Sequence, residues 1–140
     1  MPETVYLFDV DGTLTRPLTE VNDEFADIFL SWKRDKNKKV YLVTGSDIGK
    51  TKKQLFSSLM DQCEGIFTCS GNVFYSNGRK IYENKLELPS DFIENLQLYL
   101  DMGSPWKNKT GNHIEIRSGM VNFSTVGRNA SADLREAYYK

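Results

Sequence analysis

Cysteine, histidine and proline are scarce in this chain. Two cysteines, Cys63 and Cys69, and one histidine, His113, are spread over 140 residues. The cysteines form neither a CxxC motif nor a disulfide framework. No second histidine or cysteine pairs with His113, which therefore reads as a strand residue rather than a metal ligand. A reducing cytoplasm is the simplest home for such a chain. Long apolar runs are missing too. None approaches the roughly 20 residues of a membrane helix, and the N-terminus, MPETVYLFDV, lacks the basic region and cleavage site of a signal peptide. Without that signal, the N-x-[ST] triplets starting at Asn108, Asn122 and Asn129 read as chance matches. An excess of one charge sign is also absent. A formal net charge of −1 gives no electrostatic case for binding nucleic acid or an anionic membrane. There are no internal repeats and no low-complexity linker.

What is present is an ordinary globular composition, 39% hydrophobic and 26% charged, with enough length to bury a core. One stretch organises it. Val5, Tyr6, Leu7 and Phe8 form an apolar run that ends in two carboxylates, Asp9 and Asp11, followed by Gly12, Thr13, Leu14 and Thr15. Four apolar residues bounded by a turn predict a short buried strand. The acids then lie at its carboxyl end, where open α/β sheets bind ligands. Two unpaired carboxylates so close together are costly to bury, and a divalent cation with a phosphate would explain them. If the segment stays extended, alternate residues share a side, and Asp9 and Asp11 converge. One can be a nucleophile that accepts a phosphoryl group. The other can be a general acid/base on the leaving or attacking hydroxyl. Mg²⁺, a hard cation, would neutralise charge between carboxylate and phosphate.

Further along, Asn22 or Thr19 can cap a helix whose apolar positions are Phe25, Ile28, Phe29 and Trp32. The basic stretch Lys33 to Lys39 closes it as a solvated helix end. Val40 to Val43 predicts a second strand, ending in Thr44, Gly45 and Ser46, whose hydroxyls and N–H groups can hold phosphate. One helix is expected from Asp47 to Met60. Gly45 to Thr51, GSDIGKT, is one residue short of a P-loop, so Lys50 reads as a surface helix residue. Ile66 to Cys69 is a third strand. Asn77-Gly78 between Val73–Tyr75 and Lys80–Tyr82 predicts a hairpin. A helix from Asp91 to about Leu100, an alternating strand at His113–Arg117, a Ser118-Gly119 turn, a strand at Met120–Val126 and a helix capped by Ser131 complete the chain. Strands and helices alternate up to about residue 84, and a helix then precedes an antiparallel pair. The pattern predicts α/β for residues 1–84 and α+β for 85–140.

LFDVDGTLT resembles the first motif of the haloacid dehalogenase (HAD) superfamily. The segment 111–140, with its Arg117-Ser118-Gly119-Met120 turn and Gly127-Arg128 pair before a helix, resembles the cap of eukaryotic-type phosphomannomutases. The resemblance covers nearly the whole chain. It implies part of a Rossmann-type HAD core at 1–84 and the first part of an inserted cap at 85–140. It makes Asp9 the nucleophile and Asp11 the acid/base, with the Asp9 carboxylate and the Asp11 backbone carbonyl as Mg²⁺ ligands. It places Thr44 on the transferring phosphoryl group and Arg117, Arg128 and Arg135 on a substrate phosphate. Leu18 stands where the family has an arginine, and Thr125 where its cap turn has a proline. The family continues beyond the position of Lys140 with the rest of the cap, a lysine and an acidic loop. The expected function is interconversion of hexose (mannose) 6-phosphate and 1-phosphate. A HAD sugar phosphatase and a truncated, catalytically silent phosphosugar-binding domain are the alternatives. The expected partners are a hexose phosphate and a second copy through the cap, with no nucleic acid and no membrane.

Overall fold

The opening apolar run forms strand β1 (Val5–Asp9), in a computed structural model that describes residues 4–35 and 37–140. Lys36, in the basic stretch, lies outside the described residues. The chain divides into two compact units, Met1–Lys85 and Leu86–Lys140.

In the first unit β1 pairs in parallel with β2 (Lys39–Val43), from Val5↔Lys39 to Asp9↔Val43. β2 pairs in parallel with β3 (Gly65–Thr68). β4 (Val73–Ser76) and β5 (Arg79–Glu83) extend the sheet antiparallel, in the order β1-β2-β3-β4-β5. Asn77 and Gly78 both adopt positive φ, +50° and +71°, as the tight hairpin requires.

Helix α1 (Asp23–Asp35) follows an N-cap in which the Asn22 side chain accepts from Phe25 N at 3.0 Å. Its edge-on contacts, Phe29 on Phe8 and Trp32 on Tyr6, both at 5.2 Å between ring centres, bury one face of β1. The buried stripe is Ala26, Phe29 and Leu30, and Ile28 is 61% exposed. The apolar face is thus rotated from the Phe25–Ile28–Phe29–Trp32 spacing, because the aromatic pair docks on the strand and turns Ile28 outward.

The single helix expected from Asp47 to Met60 is two helices, α2 (Ile48–Gln54) and α3 (Ser57–Met60). Leu55 is extended at φ −116°, ψ 139° and 2% exposed. Breaking the helix there lets Leu55, Leu59 and Met60 all reach the core with Val40, Leu42 and Ile66. On the opposite face of the sheet Phe67 stacks on Phe74 and Tyr41 lies tilted against both. Val5 and Leu7 are exposed, so β1 is covered on one face only rather than buried as expected.

In the second unit α4 (Phe92–Leu98) widens into a π turn over Tyr99–Gly103. β6 (Ile114–Arg117) and β7 (Met120–Phe123) form an antiparallel pair. β7 is shorter than expected: beyond it, Gly127 N donates to the Ser124 hydroxyl and Thr110 N to the Val126 carbonyl, so these residues form a turn. Helix α5 (Ala132–Tyr139) is capped by the Ser131 hydroxyl, which accepts from Leu134 N. His113, expected in the strand, lies just before β6. Its Nδ1 lies 2.8 Å from the Ser124 carbonyl and its Nε2 accepts from Gly111 N, which assigns the ring proton to Nδ1.

Candidate active site

β1 ends at Asp9, and the chain turns at once. Val10 is fully buried, and its carbonyl accepts from Thr13, Leu14 and Thr15 N–H groups at 3.2, 3.0 and 3.1 Å. Gly12, at φ +83°, takes a conformation costly for residues with a Cβ. The extended alternation invoked to bring the acids together therefore stops at Asp9. The turn places Asp11 instead.

The two carboxylates have different surroundings. Asp9 is exposed and makes no side-chain hydrogen bond among the described residues. Asp11 is held: its Oδ1 accepts from Gln54 Nε2 at 2.6 Å and from Leu18 N at 2.9 Å. Burial pushes the Asp11 carboxyl up. The Leu18 N–H, the Gln54 amide and the Lys50 charge outweigh it and leave the carboxyl below its ordinary value. Leu18 aims its N–H from φ +64°, a strained conformation for this residue.

The second loop lies beside the first because Asp9 is in register with Val43. Thr44 and Ser46 are buried and Gly45 is exposed. The Thr44 hydroxyl accepts from Ser46 N at 3.1 Å. A third loop interlocks with it: Ser70 N donates to the Thr44 carbonyl and Cys69 N to the Ser46 carbonyl, at 3.0 and 2.9 Å. Cys69, Ser70 and Gly71 all have positive φ, 50°, 56° and 87°. Such strain gathers at functional loops. The P-loop reading fails, because Gly49, Lys50 and Thr51 lie inside α2. Thr51 is fully buried with its hydroxyl on the Asp47 carbonyl. Lys50 is more than a surface residue, since its charge reaches Asp11.

In the second unit the three arginines are neighbours. Glu115 joins two of them: its Oε2 lies 3.0 Å from Arg117 Nη2 and 3.1 Å from Arg128 Nε. Arg135 Nη2 donates to the Arg128 carbonyl at 2.8 Å, and its Nε to the Ala130 carbonyl at 3.1 Å. A small hollow is lined by Asn112, Ile114, Glu115 and Arg128.

The family model described as eukaryotic phosphomannomutase matches residues 26–140. This chain belongs to the eukaryotic phosphomannomutase family. A protein named phosphomannomutase 1 of Dictyostelium discoideum is 35% identical over 147 residues, which cover 100% of this chain and 57% of that one. A protein named phosphomannomutase of Triticum aestivum is 37% identical over 141 residues, covering 96% and 55%. This family member thus spans little more than half the length of these relatives. Among solved structures, a haloacid dehalogenase-like hydrolase from B. subtilis superposes with a TM-score of 0.52 at 18% identity, covering 71% of this chain and 33% of that one. A HAD-superfamily phosphatase from Bacteroides thetaiotaomicron gives 0.51 at 22%, covering 72% and 36%. The fold is therefore HAD-like, with part of the Rossmann-type core.

In this phosphomannomutase-family chain, no three acidic, thiol or imidazole groups gather into a metal cage among the described residues. The donors at the end of β1 still suit Mg²⁺. They are hard oxygens, Asp9 is uncommitted, and Mg²⁺ is commonly held by one or two carboxylates with waters and substrate phosphate. Sequence reasoning missed Gln54, Leu18, Ser70 and Glu115. Gln54 left no local signal, because it follows Lys52 and Lys53 at the polar end of α2 and reads as one more surface residue.

Proposed function

We propose that this chain is a phosphomannomutase-like phosphotransferase, acting on hexose phosphate with mannose favoured, through an aspartyl-phosphate on Asp9. The observation that carries it is the asymmetry of the acids: Asp9 exposed and uncommitted, Asp11 held by two N–H donors. Asp9 attacks the phosphoryl phosphorus and the sugar oxygen leaves. Asp11, as the acid, gives that oxygen its proton, and as the base it takes a proton from the incoming hydroxyl. Thr44, Gly45 and Ser46 bind the transferring group. Arg117, Arg128 and Arg135 take a substrate phosphate, for which guanidinium supplies paired donors. Asp9 and the Asp11 backbone carbonyl would hold Mg²⁺, which supplies charge neutralisation to the phosphate. Residues 1–84 act as the core part and 85–140 as the cap part. We place the chain in a reducing compartment, the cytoplasm, in keeping with its two buried cysteines, Cys63 and Cys69. Burial pushes the Cys63 thiol up to about 12. Pairing of two copies through the cap draws on exposed apolar residues there, Ile116 and Phe123.

The exposure of Asp9 favours a second reading, in which water takes the phosphoryl group and the chain is a sugar phosphatase. One experiment separates these. Beryllofluoride with Mg²⁺ should form an adduct on wild type, read by ¹⁹F NMR, and none on Asp9→Asn. Mannose 1-phosphate should then give mannose 6-phosphate for a mutase, or inorganic phosphate for a phosphatase. An adduct that persists in Asp9→Asn removes Asp9 as nucleophile. Absence of any adduct or turnover in wild type points to a silent domain.

A further inference from the structure

The Gln54 side chain has no place in the chemistry so far. It is 4% exposed at the end of α2, and the residue ties the acid-bearing loop to that helix at three points. Its Nε2 donates to Asp11 Oδ1 at 2.6 Å and reaches Thr15 Oγ1 at 3.5 Å. The Gln54 backbone carbonyl accepts from Val21 N at 2.7 Å. The side-chain Oε1 is buried with no hydrogen-bond partner in the structure. An orphaned buried amide oxygen is unfavourable. Turning the amide over would satisfy nothing, because it would set Oε1 against the Asp11 carboxylate. The amide is therefore fixed in this orientation in spite of its orphaned oxygen, with its N–H groups spent on Asp11 and Thr15. The strained Leu18 backbone, at φ +64°, directs a second N–H to the same oxygen. Both donors converge on Oδ1 and leave Oδ2 without a hydrogen bond among the described residues.

We infer that Gln54 is a positioning residue for phosphoryl transfer. With the Leu18 N–H it pins Oδ1 of Asp11, fixing the carboxylate's rotation so that Oδ2 is the oxygen presented to the reacting hydroxyl. This deepens the phosphoryl-transfer reading above and rests on it. A carboxylate free to rotate would meet the hydroxyl in productive geometry only part of the time. Displacement of about 1 Å at a reacting group can cost on the order of a hundredfold in rate.

The test uses Gln54→Met and Gln54→Glu. Methionine fills the same volume, removes both amide groups and so also removes the orphaned oxygen. Glutamate keeps the size and sets a second carboxylate against Asp11. In Gln54→Met the melting temperature should hold or rise, and beryllofluoride capture at Asp9 should match wild type. The turnover number for mannose 1-phosphate should fall by roughly 10- to 100-fold, with KM nearly unchanged. Gln54→Glu should fall at least as far. Combined with Asp11→Asn, Gln54→Met should add little further loss, because the group it positions no longer works. A merely structural residue would lower the melting temperature and add its full effect to that of Asp11→Asn. Failure of wild type to capture beryllofluoride overturns the phosphoryl-transfer reading. Capture with unchanged turnover in both variants overturns the role of Gln54 alone. Capture without any wild-type turnover overturns it as well, since Asp11 then has no hydroxyl to serve.

Discussion

Lys33 stands in a run of basic residues that reads as a solvated helix end, yet its side chain is only 12% exposed and pairs with Glu64 at 2.9 Å. Glu64 also accepts from Val40 N through its other oxygen, at 2.6 Å. Burial pushes the Glu64 carboxyl up, but the Lys33 hydrogen bond and the Val40 N–H overcome it and leave it below its ordinary value. The group therefore stabilises the fold above its unfolded pKa, about 4.3, and that stability is lost as pH falls through the lower folded value. Glu64→Gln keeps the shape and loses the charge. It should be less stable than wild type by roughly 1–3 kcal/mol at neutral pH. That margin should close as pH drops below 4.3. Urea unfolding of both proteins at a series of pH values reads it, and a margin independent of pH would remove the carboxylate as its source. Nothing near Lys33 in the sequence marks it as paired. Its partner is 31 residues away, brought close only when β2 and β3 align.

Among the elements, those with a strong local signal were legible: β1 with its abrupt acids, the Asn77-Gly78 hairpin, the Ser131 cap. The split of α2 from α3 was not, because Leu55 breaks its helix to reach a core that local spacing does not reveal. The turn before Arg128 depends on tertiary contact in the same way. Gly127 sits at φ +89°, where an added Cβ would overlap the Gly111 carbonyl oxygen and the Thr110 hydroxyl. Neighbouring bonds, Thr110 N to Val126 O and Arg128 N to Asn112 O at 3.1 and 3.2 Å, hold these segments together. Gly127→Ala should cost at least ~2 kcal/mol, from the left-handed backbone and the overlap together. Gly78→Ala, at φ +71° with nothing within 4 Å of the added Cβ, should cost less. Denaturant unfolding of the two variants compares them directly, and equal losses would show that backbone conformation alone matters.

For the molecule as a whole, the proposed chemistry divides between the units: acids in the first, arginines in the second. The arginines are not equivalent. Arg128 is exposed and shares Glu115 with Arg117, whereas the Arg135 guanidinium donates to the backbone carbonyls of Arg128 and Ala130. If Arg128 grips a substrate phosphate, Arg128→Ala should weaken binding of mannose 6-phosphate by roughly 10- to 100-fold. That is the effect of losing a charged hydrogen bond of about 1.5–3 kcal/mol. Arg128→Lys should recover only part, since a point charge replaces a fork. Arg135→Ala should weaken binding and also lower the melting temperature, because it releases the turn at Arg128–Ala130 from α5. Calorimetric titration with scanning calorimetry checks all three. Unaltered affinity in every variant would dismiss the arginine cluster as a phosphate site.

By itself the sequence determined the residue types available for chemistry, the strand that ends in carboxylates and the change from α/β to α+β near residue 84. These follow from short-range causes: apolar periodicity, turn residues and caps. Only the tertiary structure decided which groups those residues meet. It turned the backbone at Val10, set Gln54 and Leu18 on one oxygen of Asp11, and put Glu115 between two arginines. Gln54 lies 43 residues from Asp11, and a hydrogen bond across that distance forms only after burial has packed α2 against the sheet. The energy that selects such a contact comes from the core as a whole, so no local pattern records it.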